Sequence, residues 1–168
     1  MLLRPWQDDD IDSWANMEAD DRVMQYLLRA EKREEAVAFA TRMRRSLESD
    51  GFGSWVAEIK GGLHFAGIIA LQEVPIDEYF TPAKEVGWIF RSEAWGNGYA
   101  TEGARAALEF ARNTLAWSEI VAMTAAVNLP SQSVMQRLGM TYDSEFDHPL
   151  VPEGHSLRKH VLYRLRLL

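Results

Sequence analysis

The chain has 168 residues, with 18 Lys and Arg against 25 Asp and Glu, a net charge of −7 and no Cys. Its length predicts a single domain over residues 1–168, and an apolar fraction of 47% is typical of a globular protein rather than a disordered one. The missing Cys excludes disulfides, thiolate metal sites and a Cys nucleophile, and the acidic balance disfavours nucleic acid as a partner.

The N-terminal segment is strongly acidic. Its first 21 residues carry seven acidic side chains and one basic side chain, that of Arg4. Such a segment is not a signal peptide, and no apolar stretch of the chain approaches the ~20 residues of a membrane span. We therefore expect a cytoplasmic protein with no membrane partner. The acids either form a solvated helix face near helix N-termini or make an acidic wall that attracts a cationic ligand.

The first half of the chain predicts helices followed by a run of strands. The predicted strands lie at residues 2–4, 55–59, 63–71 and 84–91, and the predicted helices between residues 14 and 28 and at residues 34–48. The second and third strands are joined by Lys60-Gly-Gly62, which predicts a hairpin turn. In the fourth strand, alternation separates one face with Glu85 and Gly87 from another with Trp88.

The second half alternates helices and strands. Helices are predicted at residues 99–115 and 131–138, and strands at residues 119–127, 141–146 and 156–165. A stripe of small residues on the first of these helices suits close packing on a sheet, and Gly139 is placed to end the second. The order predicts a mixed α/β sheet, mostly antiparallel in its first half, unlike the regular alternation of a Rossmann domain.

A glycine turn between the 84–91 strand and the 99–115 helix carries the most chemical information. Gly96 and Gly98 permit positive φ and close approach of a ligand to the backbone. The free N–H groups at the helix start carry partial positive charge and are suited to phosphate. A Walker loop is absent, and Thr101 stands where a dinucleotide fingerprint needs a small residue, which disfavours a nucleotide-binding module. On local grounds, a plain entry into the helix explains the turn equally well.

The segment Trp95-Gly-Asn-Gly-Tyr-Ala-Thr-Glu102 resembles the acetyl-CoA loop of the GNAT superfamily of N-acetyltransferases, within its RimJ/RimL-like ribosomal-protein branch. Two distant stretches agree with it. Asn128-Leu-Pro-Ser131 with Arg137-Leu-Gly-Met140 resembles a later helix of that branch, and Leu3-Arg-Pro5, Asp10 and Val23-Met-Gln-Tyr-Leu27 resemble its opening strand and helix. The resemblance covers nearly the whole chain and implies the GNAT fold, a central mixed, mostly antiparallel sheet flanked by helices.

The resemblance also implies acetyl-CoA as co-substrate. The backbone of residues 89–91 would pair with the pantetheine arm, N–H groups of the glycine turn would hold the pyrophosphate, and Ser131 would lie near the thioester sulfur. The implied cofactor-binding residues are Ile89, Phe90, Arg91, Trp95, Gly96, Asn97, Gly98, Tyr99, Ala100, Thr101, Asn128 and Ser131. The amide of Asn128 would bind pantetheine, although a cap before Pro130 is an equally good interpretation of this residue.

The implied reaction is direct attack of a primary amine on the thioester, which requires a base to remove a proton. Glu85 is the preferred base because it lies on the cofactor strand beside Gly87, whose missing side chain leaves room; the alternative is a structural carboxylate. A strand N–H near Ile89 would stabilise the oxyanion. Many members of the family have a Tyr acid where this chain has Met135.

Met135 leaves Ser131, Tyr142 or water as candidates for the acid, and Ser131 is the second predicted catalytic residue. It also motivates the alternative of a catalytically silent acyl-CoA-binding or regulatory domain. The predicted acceptor is a protein N-terminal amine or a small cationic amine that approaches from the acidic N-terminal helices. The resemblance makes a homodimer an expectation. No metal is expected, because His155 and His160 are five apart in a strand-like run, which puts them on opposite faces. His148 is predicted in a loop, and His64 at the start of a strand.

Overall fold

The structure, a computed structural model, describes residues 1–28 and 32–168. Its strands are β1 (Leu2–Arg4), β2 (Ser54–Glu58), β3 (Gly67–Glu73), β4 (Lys84–Phe90), β5 (Glu119–Ala125), β6 (Thr141–Asp147) and β7 (Lys159–Arg166). Its α-helices are α1 (Asp8–Glu18), α2 (Asp21–Met24), α3 (Arg33–Asp50), α4 (Tyr99–Asn113) and α5 (Leu129–Arg137). A short 3₁₀ turn at Ser92–Ala94 connects β4 to the glycine turn. In the described part of the chain, no helix is both long and apolar enough to cross a membrane.

The strands form one seven-stranded sheet in the order β1-β2-β3-β4-β5-β7-β6. Neighbours are antiparallel except β4 and β5, which run parallel. The predicted element order and mixed sheet are therefore confirmed. The turn after β2 also forms, since the Gly62 N–H donates to the Ile59 carbonyl at 2.9 Å. Its hairpin is longer than predicted, because β3 starts only at Gly67 and His64 lies in the loop rather than in a strand.

The two faces of the sheet carry different helices. One face packs on α4 and α5, and the stripe of small residues on α4 lets that helix approach closely. Ala104, Ala107 and Ala111 of α4 are buried. A Cβ built on Gly103 would lie 2.7 Å from Cγ1 of Ile69 in β3, so the contact needs glycine there. The opposite face packs on the three N-terminal helices.

The acids at the N-terminus are used in local structure. Asp10 is buried and accepts two hydrogen bonds from the Arg4 guanidinium, at 2.6 and 3.0 Å, and it also accepts the Gln7 N–H, which caps α1. Other acids of the segment pair with arginines of the N-terminal helices. The pairs are Asp8 with Arg44, Asp12 with Arg33 and Asp20 with Arg22.

Candidate active site

A cleft opens where β4 and β5 part. These parallel strands are paired at Glu85 and Val121, and no other pair of described residues joins them. Both strands continue beyond that point, so a fork forms between them. The cleft at the fork has a volume of about 1140 Å³ and reaches both faces of the sheet. Ligands of α/β proteins bind in openings of this kind.

The structure brings most of the predicted site residues to this cleft. Those that line it are Glu85, Ile89, Phe90, Trp95, Gly96, Gly98, Tyr99, Ala100, Thr101, Asn128 and Ser131. Arg91 and Asn97 are not among the lining residues. The Arg91 side chain pairs with Glu93 at 3.3 Å, and the Asn97 amide donates to the carbonyls of Ala94 and Trp95, so both side chains hold the turn rather than face the cleft.

The glycine turn has the backbone that the sequence predicts. Gly96 and Gly98 have φ of 78° and 79°, and a Cβ on either would meet no heavy atom within 4 Å. The open space in front of these glycines is space that a ligand can use. Gly98 is the N-cap of α4 and contributes no side chain to the helix start, so the first N–H groups of α4 face the cleft with a partial positive charge. The Thr101 hydroxyl is buried without a partner among the described residues.

One edge of the β4 backbone is also free beyond the fork. The Arg91 N–H donates to the Ala66 carbonyl at 2.8 Å, and the register of β3 with β4 is continuous. Backbone hydrogen bonds of an antiparallel pair alternate, so the odd-numbered residues of β4 bond to β3. The main-chain groups of Trp88 and Phe90 therefore point toward the fork.

This alternation corrects two expectations for the cofactor strand. The N–H groups of Ile89 and Arg91 are directed at β3 and do not face a ligand or an oxyanion in the fork. The N–H groups in position are those of the even-numbered residues. The Phe90 carbonyl is already occupied, since it accepts the Trp95 indole N–H at 2.9 Å, which ties the turn to the strand.

The start of α5 forms the other side of the fork. Asn128 is the N-cap of this helix: its carbonyl oxygen accepts the Ser131 N–H at 3.2 Å, and its amide donates to the Thr124 hydroxyl at 2.9 Å. The amide therefore acts as a cap, as the local interpretation of the sequence expected. Ser131 lines the cleft one turn before Met135, which is buried and packs in the core.

Glu85 is the ionisable group at the fork itself. It is 8% exposed, and burial raises its pKa to about 7, although a hydrogen bond from the Gln72 amide at 2.9 Å acts in the opposite direction. A carboxylate with this pKa is half ionised near neutral pH, which suits a general base. A Cβ on the neighbouring Gly87 would meet nothing within 4 Å, so the space expected beside Glu85 is present.

The other half of the cleft lies under the N-terminal helices. It is lined largely by apolar side chains of α2, α3 and the segment between them, with one charged residue, Arg22. None of the seven acids of the first 21 residues is among the lining residues that the structure describes, which favours the interpretation of a solvated helix face over that of an acidic wall around the acceptor. Asp20 instead ties this half to the cofactor side, because it caps α2 and accepts the Ser92 hydroxyl at 3.0 Å.

Two further expectations change with the structure. Tyr142 is 50% exposed on the edge strand β6 and does not line the cleft, so it is not placed to act as the acid. His155 lies in the turn before β7 rather than in the strand, whereas the rings of His148 and His160 stack with centroids 4.6 Å apart. Burial lowers the pKa of both stacked rings. The described residues contain no cluster of three or more metal-ligating side chains.

The sequence missed Gln72 and the apolar acceptor wall. Gln72 faces Glu85 across the β3–β4 register, a pairing that only the strand register reveals. The wall comes from helix positions that look like ordinary core residues in the sequence. Phe39 gave no separate signal, because it recurs with Ala40 and Met43 at the ordinary helical spacing of an apolar face.

The sheet thus forks between two parallel strands, with a glycine turn whose free N–H groups suit phosphate on one side and the buried Glu85 carboxylate at the branch point. The chain belongs to the family described as Acetyltransferase (GNAT) domain, which matches residues 1–141. The superfamily inferred from the sequence is thereby confirmed.

Individual relatives agree with this assignment. The FsC-acetyl coenzyme A-N(2)-transacetylase of Aspergillus fumigatus is 35% identical over 100 residues, which are 57% of this chain and 42% of that relative's length. A GNAT-family acetyltransferase from Bacillus anthracis superposes with a TM-score of 0.79 at 23% identity, covering 99% of this chain and 94% of that one. RimL, a ribosomal L7/L12 alpha-N-protein acetyltransferase in complex with coenzyme A, superposes at 0.77 with 15% identity over 98% and 92% of the two chains. At these identities the structures show a shared fold.

Proposed function

We propose that the protein is an acetyl-CoA-dependent N-acetyltransferase that acetylates a primary amine by direct attack on the thioester. The observation that carries this proposal is Glu85, a buried carboxylate with a pKa of about 7 in the same cleft as the glycine turn. A structural carboxylate in an ion pair would have a lowered pKa, whereas a base that works at neutral pH needs the raised one.

The residues of the cleft fit coenzyme A. The positive-φ glycines leave open space in front of the N–H groups of α4, which would hold the pyrophosphate. The unpartnered Thr101 hydroxyl lies in the first turn of the same helix and would add a donor. The free edge of β4 at Trp88 and Phe90 would pair with the amide-rich pantetheine arm. Bound there, the co-substrate supplies an activated acetyl thioester.

The remaining roles belong to side chains around the fork. Glu85 accepts the proton of the incoming amine, directly or through a water, because the amine is nucleophilic only when neutral. The N–H groups that face the fork from β4 stabilise negative charge that develops on the acyl oxygen. The Ser131 hydroxyl is the side chain in position to return a proton to the leaving sulfur, because Met135 carries none.

The acceptor class remains a protein N-terminal amine or a small amine. Proteins of the same fold include both kinds of acetyltransferase, since RimL is named for a ribosomal protein and another neighbour is a spermidine N-acetyltransferase. A cytoplasmic location, a homodimer, the absence of nucleic-acid partners and a single domain over residues 1–168 stay predictions.

The proposal is tested by release of free coenzyme A from acetyl-CoA across a panel of peptides, polyamines, amino acids and aminoglycosides. A ligand that binds the folded state raises the melting temperature, so acetyl-CoA alone should raise it. Release of coenzyme A only when an amine is present would support the enzyme. A rise in melting temperature with no release for any amine would instead support the silent acyl-CoA-binding domain that Met135 suggests.

A further inference from the structure

The acceptor half of the cleft has a composition that selects among amines. Its walls include the aromatic side chains of Tyr26 and Phe39 and the aliphatic ones of Leu27, Met43 and Ile68. Phe39 is 41% exposed, and its ring is already supported by Trp14 at 5.6 Å between centroids. An exposed, supported ring beside a cleft is a ready contact for an apolar ligand.

The charges of this half are few. Arg22 forms an ion pair with Asp20 at 2.8 Å. Among the described residues that line the acceptor half, Glu85 is the acidic side chain. The other charged lining residues, Glu102, Arg105, Glu109 and Arg137, belong to α4 and α5 on the opposite face of the sheet. A polyamine would therefore meet one carboxylate, which the reaction already uses, and its remaining ammonium groups would be desolvated against apolar walls.

We infer that the acceptor is a primary amine with a single positive charge, attached to an apolar body of about the size of an aromatic ring, and that polyamines are poor acceptors. This inference rests on the proposed function and specifies its substrate class. The ammonium group reaches Glu85, which takes its proton, and the apolar body lies against Phe39 and Met43. An arylalkylamine and a peptide whose first residue is large and apolar present the same chemistry.

The test compares kcat/KM for four acceptors with the full chain and acetyl-CoA: 2-phenylethylamine, an amidated Phe-Ala-Ala peptide, ethylamine and spermidine. Burial of one ring against the wall should favour the better of the first two acceptors over ethylamine and over spermidine by about 10- to 100-fold. The ratio of kcat/KM for 2-phenylethylamine to kcat/KM for the peptide shows whether the apolar body belongs to a small molecule or to a polypeptide.

Variants at position 39 sharpen the test. Phe39→Ala should raise KM for the apolar acceptors about tenfold and leave ethylamine nearly unchanged, whereas Phe39→Leu should keep most of the preference. Phe39→Glu places a carboxylate at a partly exposed position. It should raise kcat/KM for spermidine relative to the apolar amines by about tenfold or more. Tyr79→Ala is the matched control, because Tyr79 is an aromatic residue that is 65% exposed and lies outside the cleft.

The outcomes separate this inference from the proposed function. Spermidine turnover equal to or better than that of the apolar amines would overturn the inference and leave the acetyltransferase in place. An unchanged acceptor ratio in a folded Phe39→Glu variant would overturn it as well. If acetyl-CoA stabilises the protein but no amine releases coenzyme A, the proposed function fails and this inference fails with it.

Discussion

Replacing Glu85 by Gln should stabilise the fold at alkaline pH while it removes the base. Burial raises the pKa of this carboxyl from 4.5 to about 7, so the folded state favours the protonated form. Its stability is then highest below pH 4.5 and falls as the pH rises toward 7, because the unfolded chain loses its proton first. The linkage cost is roughly 1 kcal/mol at pH 5 and about 3 kcal/mol at pH 8.

Gln has the same shape, does not titrate and can still accept the hydrogen bond from Gln72. The melting temperature of Glu85→Gln relative to the wild type should therefore increase by about 4–8 °C between pH 5 and pH 8, at about 2–4 °C per kcal/mol for a chain of this size. A fixed free-energy cost of burying the Gln amide would change the melting temperature of the variant equally at both pH values and leave this difference intact. Glu153→Gln, in the exposed loop between β6 and β7, controls for the loss of one negative charge.

Activity gives the second half of the same test. Wild-type kcat/KM should rise through pH 7, where Glu85 loses its proton, and the Gln variant should lack this limb and lose about 10²- to 10⁴-fold in turnover. Its stabilisation by acetyl-CoA should remain. A pH-independent difference in melting temperature would refute the raised pKa, and unchanged turnover would remove Glu85 as the base.

Three other perturbations address the turn, the N-terminal ion pair and the stacked imidazoles. Gly98→Val should abolish stabilisation by acetyl-CoA, whereas Gly154→Val, which carries the same backbone strain at φ 79° outside the cleft, should retain it in the same thermal-shift assay. Asp10→Ala removes two hydrogen bonds from the buried Arg4 guanidinium, which keeps Glu58 as its second carboxylate partner, and should cost about 3 kcal/mol in urea unfolding. Its counterpart Asp12→Ala, in an exposed pair, should cost under about 1 kcal/mol, and equal losses would contradict this account. The lowered pKa values of the stacked imidazoles mean that their contribution is present above pH 6.5 and is lost as the pH falls below it, so His148→Asn should flatten the decline in melting temperature from pH 6.5 to 5.

The fold could be predicted from the sequence because each helix and strand shows its own hydrophobic periodicity and is bounded by residues that end such elements. The small-residue stripe of α4, the strand alternation around Glu85 and the stop at Gly139 are local signals, and the structure repeats them. Helix and strand ends were less exact, because the sequence does not show where a neighbouring strand stops pairing. The extra length of the β2–β3 hairpin is one such case.

The site was only partly readable, for a related physical reason. A glycine turn is a local feature, so its positive-φ backbone could be predicted from residues that are adjacent in the chain. The direction of the backbone N–H groups in β4 depends on the register with β3, and that register placed the free donors at Trp88 and Phe90 rather than at Ile89. The role of the acidic N-terminus stayed open in the sequence because its partners, such as Arg4 and Arg44, come from both nearby and distant positions.

Asp20 is hydrogen-bonded to both halves of the cleft. Its carboxylate caps α2, which lines the proposed amine pocket, and accepts the hydroxyl of Ser92, just before the turn proposed to hold the pyrophosphate. Any change in affinity that one substrate causes for the other through Asp20 must be equal in both directions, by thermodynamic reciprocity. The coupling free energy is measured by comparing acetyl-CoA affinity with and without a saturating amine analogue, in the wild type and in Ser92→Ala.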